Sequence, residues 1–355
     1  MFLKRVFQTD GYRAARRASF AAALSILGSF QLYAQSTNDH DALVAAARQE
    51  GSLMLYSGFT EADNLAAAAA FKDKYGINVD MYTGNTNDVV ARYDLEAQAG
   101  RVVVDVIALA DIFVSRDLEK RGLLMAYSPT STQEPGFDKR FAGSHYQNAG
   151  LTIWPAAWNT ELVPAARAPK DYTDFLDPSW SGRLGMLDAS TSLIALQYYY
   201  LLRTAMGVDY MKKLGAQNLQ FVSPNNAIAE RVVVGEIYGA PFLILNVADG
   251  LMSKGAPLAV GYMASGTPVL ARTIQISKDA PHPNAAKLFV DYLLAKEGQE
   301  KFQVVARSVS PRTDVKIEGV PALSEIKALT IQDVDGFVAS QKDLRSEFEQ
   351  FFKSR

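Results

Sequence analysis

The sequence predicts an α/β fold in two lobes, each a mostly parallel sheet flanked by helices, joined by hinge strands. Three observations carry that prediction. Short apolar runs alternate with longer stretches of helical periodicity along the chain. At 355 residues the chain is long for a single core, and cores divide beyond ~250–300 residues. One apolar run, LTIWPAAWN at 151–159, is interrupted by Pro155. Proline does not fit a central ladder position, so this run is an edge strand or a crossing point between lobes.

The first unit is 52–77, SLMLYSGFTEADNLAAAAAFKDKYGI. Residues 53–57 are an apolar run too short for a helix and bounded by Gly51 and Gly58, as in a buried strand. Thr60 is a good N-cap type, and Asp63 three residues on gives a weak capping box. Leu65, Ala68, Phe71 and Tyr75 share one helical stripe, which Gly76 ends. A second strand follows at 77–83, and caps at 85–88 open a helix through Gln98. RVVVDVIALA at 101–110 reads as a strand buried on both faces, and a helix over 112–121 stops at Gly122. This βαβαβα order predicts parallel strands with right-handed crossovers.

A loop-rich stretch over 128–150 leads to the broken strand at 151–159. The second lobe then alternates: a short helix at 172–175, a strand at 183–187, helices at 190–206 and 209–214, and a strand at 219–222. A helix over 225–234 opens at Asn225 or Asn226, or at Ser223 with Pro224 in the first turn. A strand covers 238–245, and strands at 257–262 and 269–276 lead back to the first lobe. Residues 283–304 form a helix interrupted at Gly298, and 332–352 a helix docking on a lobe.

The first 34 residues are expected to be a cleavable signal peptide. Lys4, Arg5, Arg13, Arg16 and Arg17 precede an apolar stretch over 18–30 that is too short to span a bilayer, and Leu32-Tyr33-Ala34 is an acceptable cleavage site. Arg16-Arg17 leaves Sec and twin-arginine export both open. This segment carries five basic residues and one acid, +4, so the net charge of −2 becomes −2 − 4 = −6 for the mature chain. With 36 Lys plus Arg against 38 Asp plus Glu, nucleic acid is not an expected partner. There is no cysteine, hence no disulfide and no lipidated cysteine. The expectation is a monomer free in the periplasm.

The chain resembles the extracellular solute-binding proteins of ABC importers, in the branch that includes the ferric-iron binders. The matching stretches are LMLYSGFTEADN, VDVIALAD, WNTELVP at 158–164, FLDPSWSGRLGM at 175–186, VVVGEI at 232–237 and KDAPHPNAAKLFVDYLLAKEGQE at 278–300. The resemblance implies a periplasmic-binding-protein-like fold of type II, a solute held between the lobes, and delivery to an inner-membrane ABC permease. The lobes are then 35–153 plus 263–308, and 154–262 plus 309–355. In the ferric branch two adjacent tyrosines ligate iron; by count from Gly235-Glu236 those places are Leu245 and Asn246 here. Fe(III) wants several anionic oxygens, and Asp111 alone could supply one. No metal and no cofactor are therefore expected.

The candidate ligand residues sit at loop and helix openings. Ser57, Gly58, Phe59 and Thr60 close the first strand, where open α/β sheets bind ligands. Ser190, Thr191 and Ser192 open a long helix and offer hydroxyls and free N–H groups to an anion, or simply cap it. Asn225 and Asn226 open another. Asp111 is a helix cap or a cleft contact. Trp154 stacks on a solute or packs in a core, with Trp158 four residues on and on the same strand face. Phe242 and Asn246 flank the former iron position, and Asn246 faces the cleft or caps a helix over 247–254. Tyr198, Tyr199 and Tyr200 project about 100° apart on a helix and so cannot converge on one ion. His40, His145 and His282 are read as scattered surface residues.

These readings favour a binding protein for a small organic anion. Ferric-iron capture, and service as the ligand-binding partner of a sensor kinase, are the alternatives. No nucleophile elbow, H-E-x-x-H or phosphate loop after a strand points to an enzyme.

Overall fold

A computed structural model describes residues 39–354. The expected signal peptide over 1–34 lies outside them. After a helix over 39–50 (α1), the opening unit forms as its sequence dictates. Strand β1 (Ser52–Ser57) is followed by helix α2 (Glu61–Tyr75). Thr60 caps α2, accepting from Asp63 N, and Gly76 ends it with φ +74°, a left-handed conformation that costs glycine little. Strands β2 (Asn78–Thr83) and β3 (Val106–Leu109) pair with β1 in parallel, and α3 (Thr86–Gln98) and α4 (Ile112–Lys120) complete the repeating unit. Phe71 of α2 packs edge-on against Phe289 and tilts against Tyr75 and Tyr292.

The chain leaves this lobe on β4 (Tyr146–Ile153) and enters the second on β5 (Ala156–Asn159). Trp154 and Pro155 lie between the two strands, so Pro155 marks the crossing. The first of these strands begins five residues earlier than the apolar run suggests. Gln299 and Gln303 explain this, because their buried Nε2 atoms donate to Ala149 O at 2.9 and 2.7 Å and so satisfy a non-apolar stretch. A Cβ on Gly150 would stand 2.9 Å from Gln303 Nε2, so a side chain there would displace the Gln303 amide.

The second lobe contains β6 (Gly185–Met186), α5 (Leu193–Met206), α6 (Val208–Gly215), β7 (Gln220–Phe221), α7 (Asn225–Val233), β8 (Gly239–Ala240), α8 (Leu245–Met252) and β9 (Leu258–Gly261). β6 and β7 are parallel, whereas β5 pairs antiparallel with β8 and β9. β10 (Thr267–Ile276) returns to the first lobe between β3 and β4, antiparallel to both, with a register shift between Arg272 and Thr273. The crossover strands thus add antiparallel pairs to sheets whose βαβ parts are parallel.

The remaining elements are α9 (Pro283–Leu294), α10 (Lys296–Ala306), β11 (Ala328–Leu329) and α11 (Val334–Phe352). The α9–α10 break falls at extended Ala295, not at Gly298. A Cβ on Gly298 would lie 2.0 Å from Tyr292 O, so that glycine lets α10 turn closely over the end of α9. Helix α11 buries Phe337, Leu344, Phe348 and Phe352 in the second lobe's core. Residues 309–326, grouped with the second lobe from sequence, pack on the first: Val309, Val320 and Leu323 join its cluster, and Val309 bridges Leu151. We propose moving the boundary accordingly.

Two of the histidines, partly exposed at the surface as expected, are partnered. His282 Nδ1 lies 3.0 Å from the fully buried Asp105 carboxylate, and its backbone N–H also binds that carboxylate. His145 Nδ1 lies 2.9 Å from Glu119 Oε1.

Candidate functional site

The loop after β1 folds inward. Ser57 is fully buried; its hydroxyl donates to Asn64 Oδ1 at 2.7 Å and accepts from Phe59 N at 3.1 Å. Gly58 N donates to Ala108 O at 2.8 Å, locking the loop to the end of β3. The Phe59 ring is buried with the Arg272 guanidinium 4.0 Å from its centroid, a cation–π contact. Arg272 Nη2 also donates to Asp63 Oδ2 at 2.5 Å, and both side chains are almost wholly buried. Burial draws the Arg272 pKa below the ordinary guanidinium value, and the Asp63 carboxylate opposes that shift.

Facing this loop is the start of α8. Ile244 N donates to Asn225 Oδ1 at 3.3 Å, while Asn225 Nδ2 has no partner among the described residues. Leu245 is buried within the first lobe's apolar cluster, although its helix belongs to the second lobe. Arg307, which ends α10 with φ +47°, pairs with Asp249 of α8, Nε to Oδ2 at 2.9 Å. Between these walls lies a cavity of about 150 Å³, lined by Gly58, Phe59, Thr60, Ile244, Asn246, Arg272 and Arg307 among others.

The expected site residues separate into groups. Gly58, Phe59, Thr60 and Asn246 line this cavity, with Ser57 just behind them. Asn246 sits in the first turn of α8, and Ile244 is the cap residue, so Asn246 does not cap. The predicted strand over 238–245 is confined to Gly239–Ala240, because α8 begins at Leu245. Helix α7 opens on Pro224 with no side-chain cap, so neither Asn225 nor Asn226 nor Ser223 caps it. Asp111 caps α4, Oδ1 accepting from Phe113 N at 2.8 Å. Burial raises its pKa, and the Phe113 and Val114 N–H groups pull the other way.

Trp154 and Phe242 are core residues, not cleft platforms. Both are at most 2 % exposed and pack on Tyr198, Trp154 tilted and Phe242 stacked, at centroid distances of 4.2 and 4.3 Å. Trp158 packs against Gly261 and shares that core, but it lies in β5 while Trp154 lies before it, outside either strand, so the two do not share a strand face. Ser190 is occupied locally: its N–H and hydroxyl bind Asp188 Oδ1 at 2.9 and 2.7 Å, and Lys353 Nζ reaches its Oγ at 2.8 Å. Ser192 caps α5, whose first residue is Leu193. Thr191 is exposed. None of Ser190, Thr191 and Ser192 lines the cavity with Thr60 and Asn246.

The sequence reading missed Arg272 and Arg307. Arg272 had a signal, a lone charge inside the apolar strand run TPVLARTIQI, since buried arginine is almost always paired. Arg307 had none, because a basic residue after a helix is ordinary capping chemistry. Among the described residues there is no group of three or more His, Cys, Asp or Glu side chains placed to hold a metal ion.

Residues 66–328 match the family of bacterial extracellular solute-binding proteins, and the chain belongs to that family. These are the solute-capturing components of ABC importers. An uncharacterised protein of Haemophilus influenzae is 24 % identical over 310 residues, 83 % of this chain and 87 % of that one. A putative 2-aminoethylphosphonate-binding periplasmic protein of Salmonella typhimurium is 23 % identical over 272 residues, 74 % of this chain and 76 % of its own. Among solved structures, AfuA of Actinobacillus pleuropneumoniae with fructose-6-phosphate bound superposes with a TM-score of 0.66 at 23 % identity, covering 86 % of this chain and 99 % of AfuA. Iron-bound HitA of Pseudomonas aeruginosa superposes with a TM-score of 0.68 at 22 % identity, covering 82 % and 99 %. The type II two-lobed fold is thereby shared.

Proposed function

We propose that this protein captures a compact organic anion in the cleft between Gly58–Thr60 and Asn246 and passes it to an inner-membrane ABC permease. Export through a signal peptide over 1–34 would deliver it to the periplasm as a monomeric binding protein without catalysis. One observation carries the anion. Arg272 and Arg307 line the cavity, each held by one carboxylate, Asp63 and Asp249, so the formal balance is +2 − 2 = 0 and the anion preference rests on the helix openings. The opening turns of α2 and α8 lie on the same cavity, and helix N-termini favour negative charge by ~0.3–1 kcal/mol each. At about 150 Å³ the cavity is smaller than the ~300–1,000 Å³ of drug-sized pockets. That size suits a phosphonate or short carboxylate better than a sugar phosphate. The phosphonate named for the Salmonella relative fits the same class.

The test is thermal shift with 2-aminoethylphosphonate, short dicarboxylates and fructose 6-phosphate, beside ferric citrate and spermidine. A true solute at 100 times its Kd stabilises by ~2.7 kcal/mol. An Asn246→Leu variant should lose that shift. Stabilisation by spermidine or iron that disappears in Asn246→Leu, with no response to any anion, overturns the reading. Native mass spectrometry of protein taken directly from cells would identify a co-purified solute.

A further inference from the structure

A second cavity lies apart from the cleft and shares no lining residue with it. It measures about 280 Å³ and is walled by α4, the segment before β4, the hinge strand β10 and the 330–334 linker that enters α11. Gln197 of α5 closes it from the second lobe. Its walls therefore come from both lobes and from the crossover between them.

The polar groups here are of two kinds. The charged ones are already paired: Arg116 with Glu119 and Asp335, and Arg140 with Asp138. They leave no free charge for an ion. Among the neutral ones, Ser144, Thr330 and Gln332 are hydrogen-bonded, but two amides are not fully paired. Asn148 is 6 % exposed; its Nδ2 donates to Phe141 O at 3.0 Å, but its Oδ1 has no partner. Gln197 is 4 % exposed, and its side-chain amide makes no hydrogen bond among the described residues. A buried polar atom without a partner costs ~1–3 kcal/mol, so Asn148 Oδ1 marks a place where a donor is wanted, and Gln197 lines the same cavity. Leu151, Leu270 and Ile331 supply apolar walls beside them.

We propose that this cavity is a second binding site, for a small neutral molecule bearing a primary amide. The ligand N–H donates to Asn148 Oδ1, its carbonyl accepts from the Gln197 amide, and its carbon body lies against the apolar wall. Because both lobes contribute, an occupant stabilises the lobe arrangement described here.

Saturation-transfer NMR on the full mature protein tests this with acetamide, benzamide and nicotinamide, and with nicotinate and benzylamine as charged counterparts. At least one amide should bind, and its affinity should fall at least tenfold in Gln197→Leu and in Ala271→Phe, which fills the cavity. Gln197→Leu should fold normally, since no bond is lost, and Asn246→Leu in the cleft should leave amide binding unchanged. The proposal is overturned if no amide binds. It is equally overturned if binding survives both cavity variants, if it is lost in Asn246→Leu, or if nicotinate binds as well as nicotinamide.

Discussion

Arg307 at the end of α10 and Asp249 on α8 face each other across the cleft, Nε to Oδ2 at 2.9 Å and Nη2 to Oδ1 at 3.1 Å. Arg307 Nη1 also donates to Glu318 O at 2.7 Å, which holds the guanidinium in place on the first lobe. The pair exists only when the lobes are close, so it biases closure rather than folding. Partly exposed ion pairs contribute ~0.2–1 kcal/mol. Asp249→Asn should therefore shift the open–closed balance toward open by up to about fivefold. Small-angle scattering would read it as a larger radius of gyration at low salt, converging with wild type at high salt as screening removes the pair. An unchanged radius at low salt would show that the pair does not govern closure.

Arg272 and Asp63 are a different case, because both are buried. Arg272→Met leaves the Asp63 charge without its partner and should cost ~3–5 kcal/mol in urea unfolding. Arg272→Met combined with Asp63→Leu should recover most of that loss, since an apolar pair of similar volume is often no worse than a buried ion pair. If the double variant is as unstable as the single one, Arg272 stabilises through its contact with Phe59 instead.

Local patterns made most of the fold legible. Thr60, Gly76, Asn85 and Gly122 bounded elements within a residue or two, because caps and glycine turns act through neighbouring backbone groups. The α11 stripe of Phe337, Leu344, Phe348 and Phe352 was readable for the same reason. Failures came where distant contacts decide. The strand over 146–150 depends on Gln299 and Gln303, about 150 residues away. The helix at Leu245 replaces an apolar run that reads equally well as a strand. At the site, the loop at Ser57–Thr60 was found by topology, but Arg272 and Arg307 meet it only through tertiary structure. Trp154 was left between core and cleft, and Phe242 was placed by the cleft, because an aromatic in a core and one in a cleft look alike in sequence.

Leu245 offers a second handle on closure. It belongs to a second-lobe helix yet is buried with Phe59 and Ile153 in the first lobe's cluster. Opening the cleft would expose it. Truncation to alanine removes about three carbons at ~0.8 kcal/mol per buried methylene, so Leu245→Ala should weaken closure by about 2 kcal/mol. The expected result is a larger radius of gyration than Asp249→Asn gives, with urea unfolding of the separated lobes nearly unchanged. A full core-type loss of ~2–5 kcal/mol in urea without any change in radius would place Leu245 in a permanent core instead.

Asp111 separates a capping role from a solute contact through pH. Burial holds its carboxyl pKa above the ordinary 3.8. An acid whose pKa is raised by folding binds its proton more tightly in the native state, so native stability falls as pH rises from the ordinary value through the raised one. At pH 7 the ionised form is thus a net cost beside a neutral cap. Asp111→Asn keeps an oxygen to accept from Phe113 N, since asparagine caps about as well as aspartate. The variant should be more stable than wild type at pH 7, and the advantage should vanish well below the ordinary 3.8, where wild-type Asp111 is protonated in both states. Urea unfolding at the two pH values measures it. A variant less stable at pH 7, with the deficit lost in acid, would mean that the carboxylate's charge itself supports α4. Loss of solute binding at unchanged stability would instead put Asp111 in contact with a cationic group of the solute.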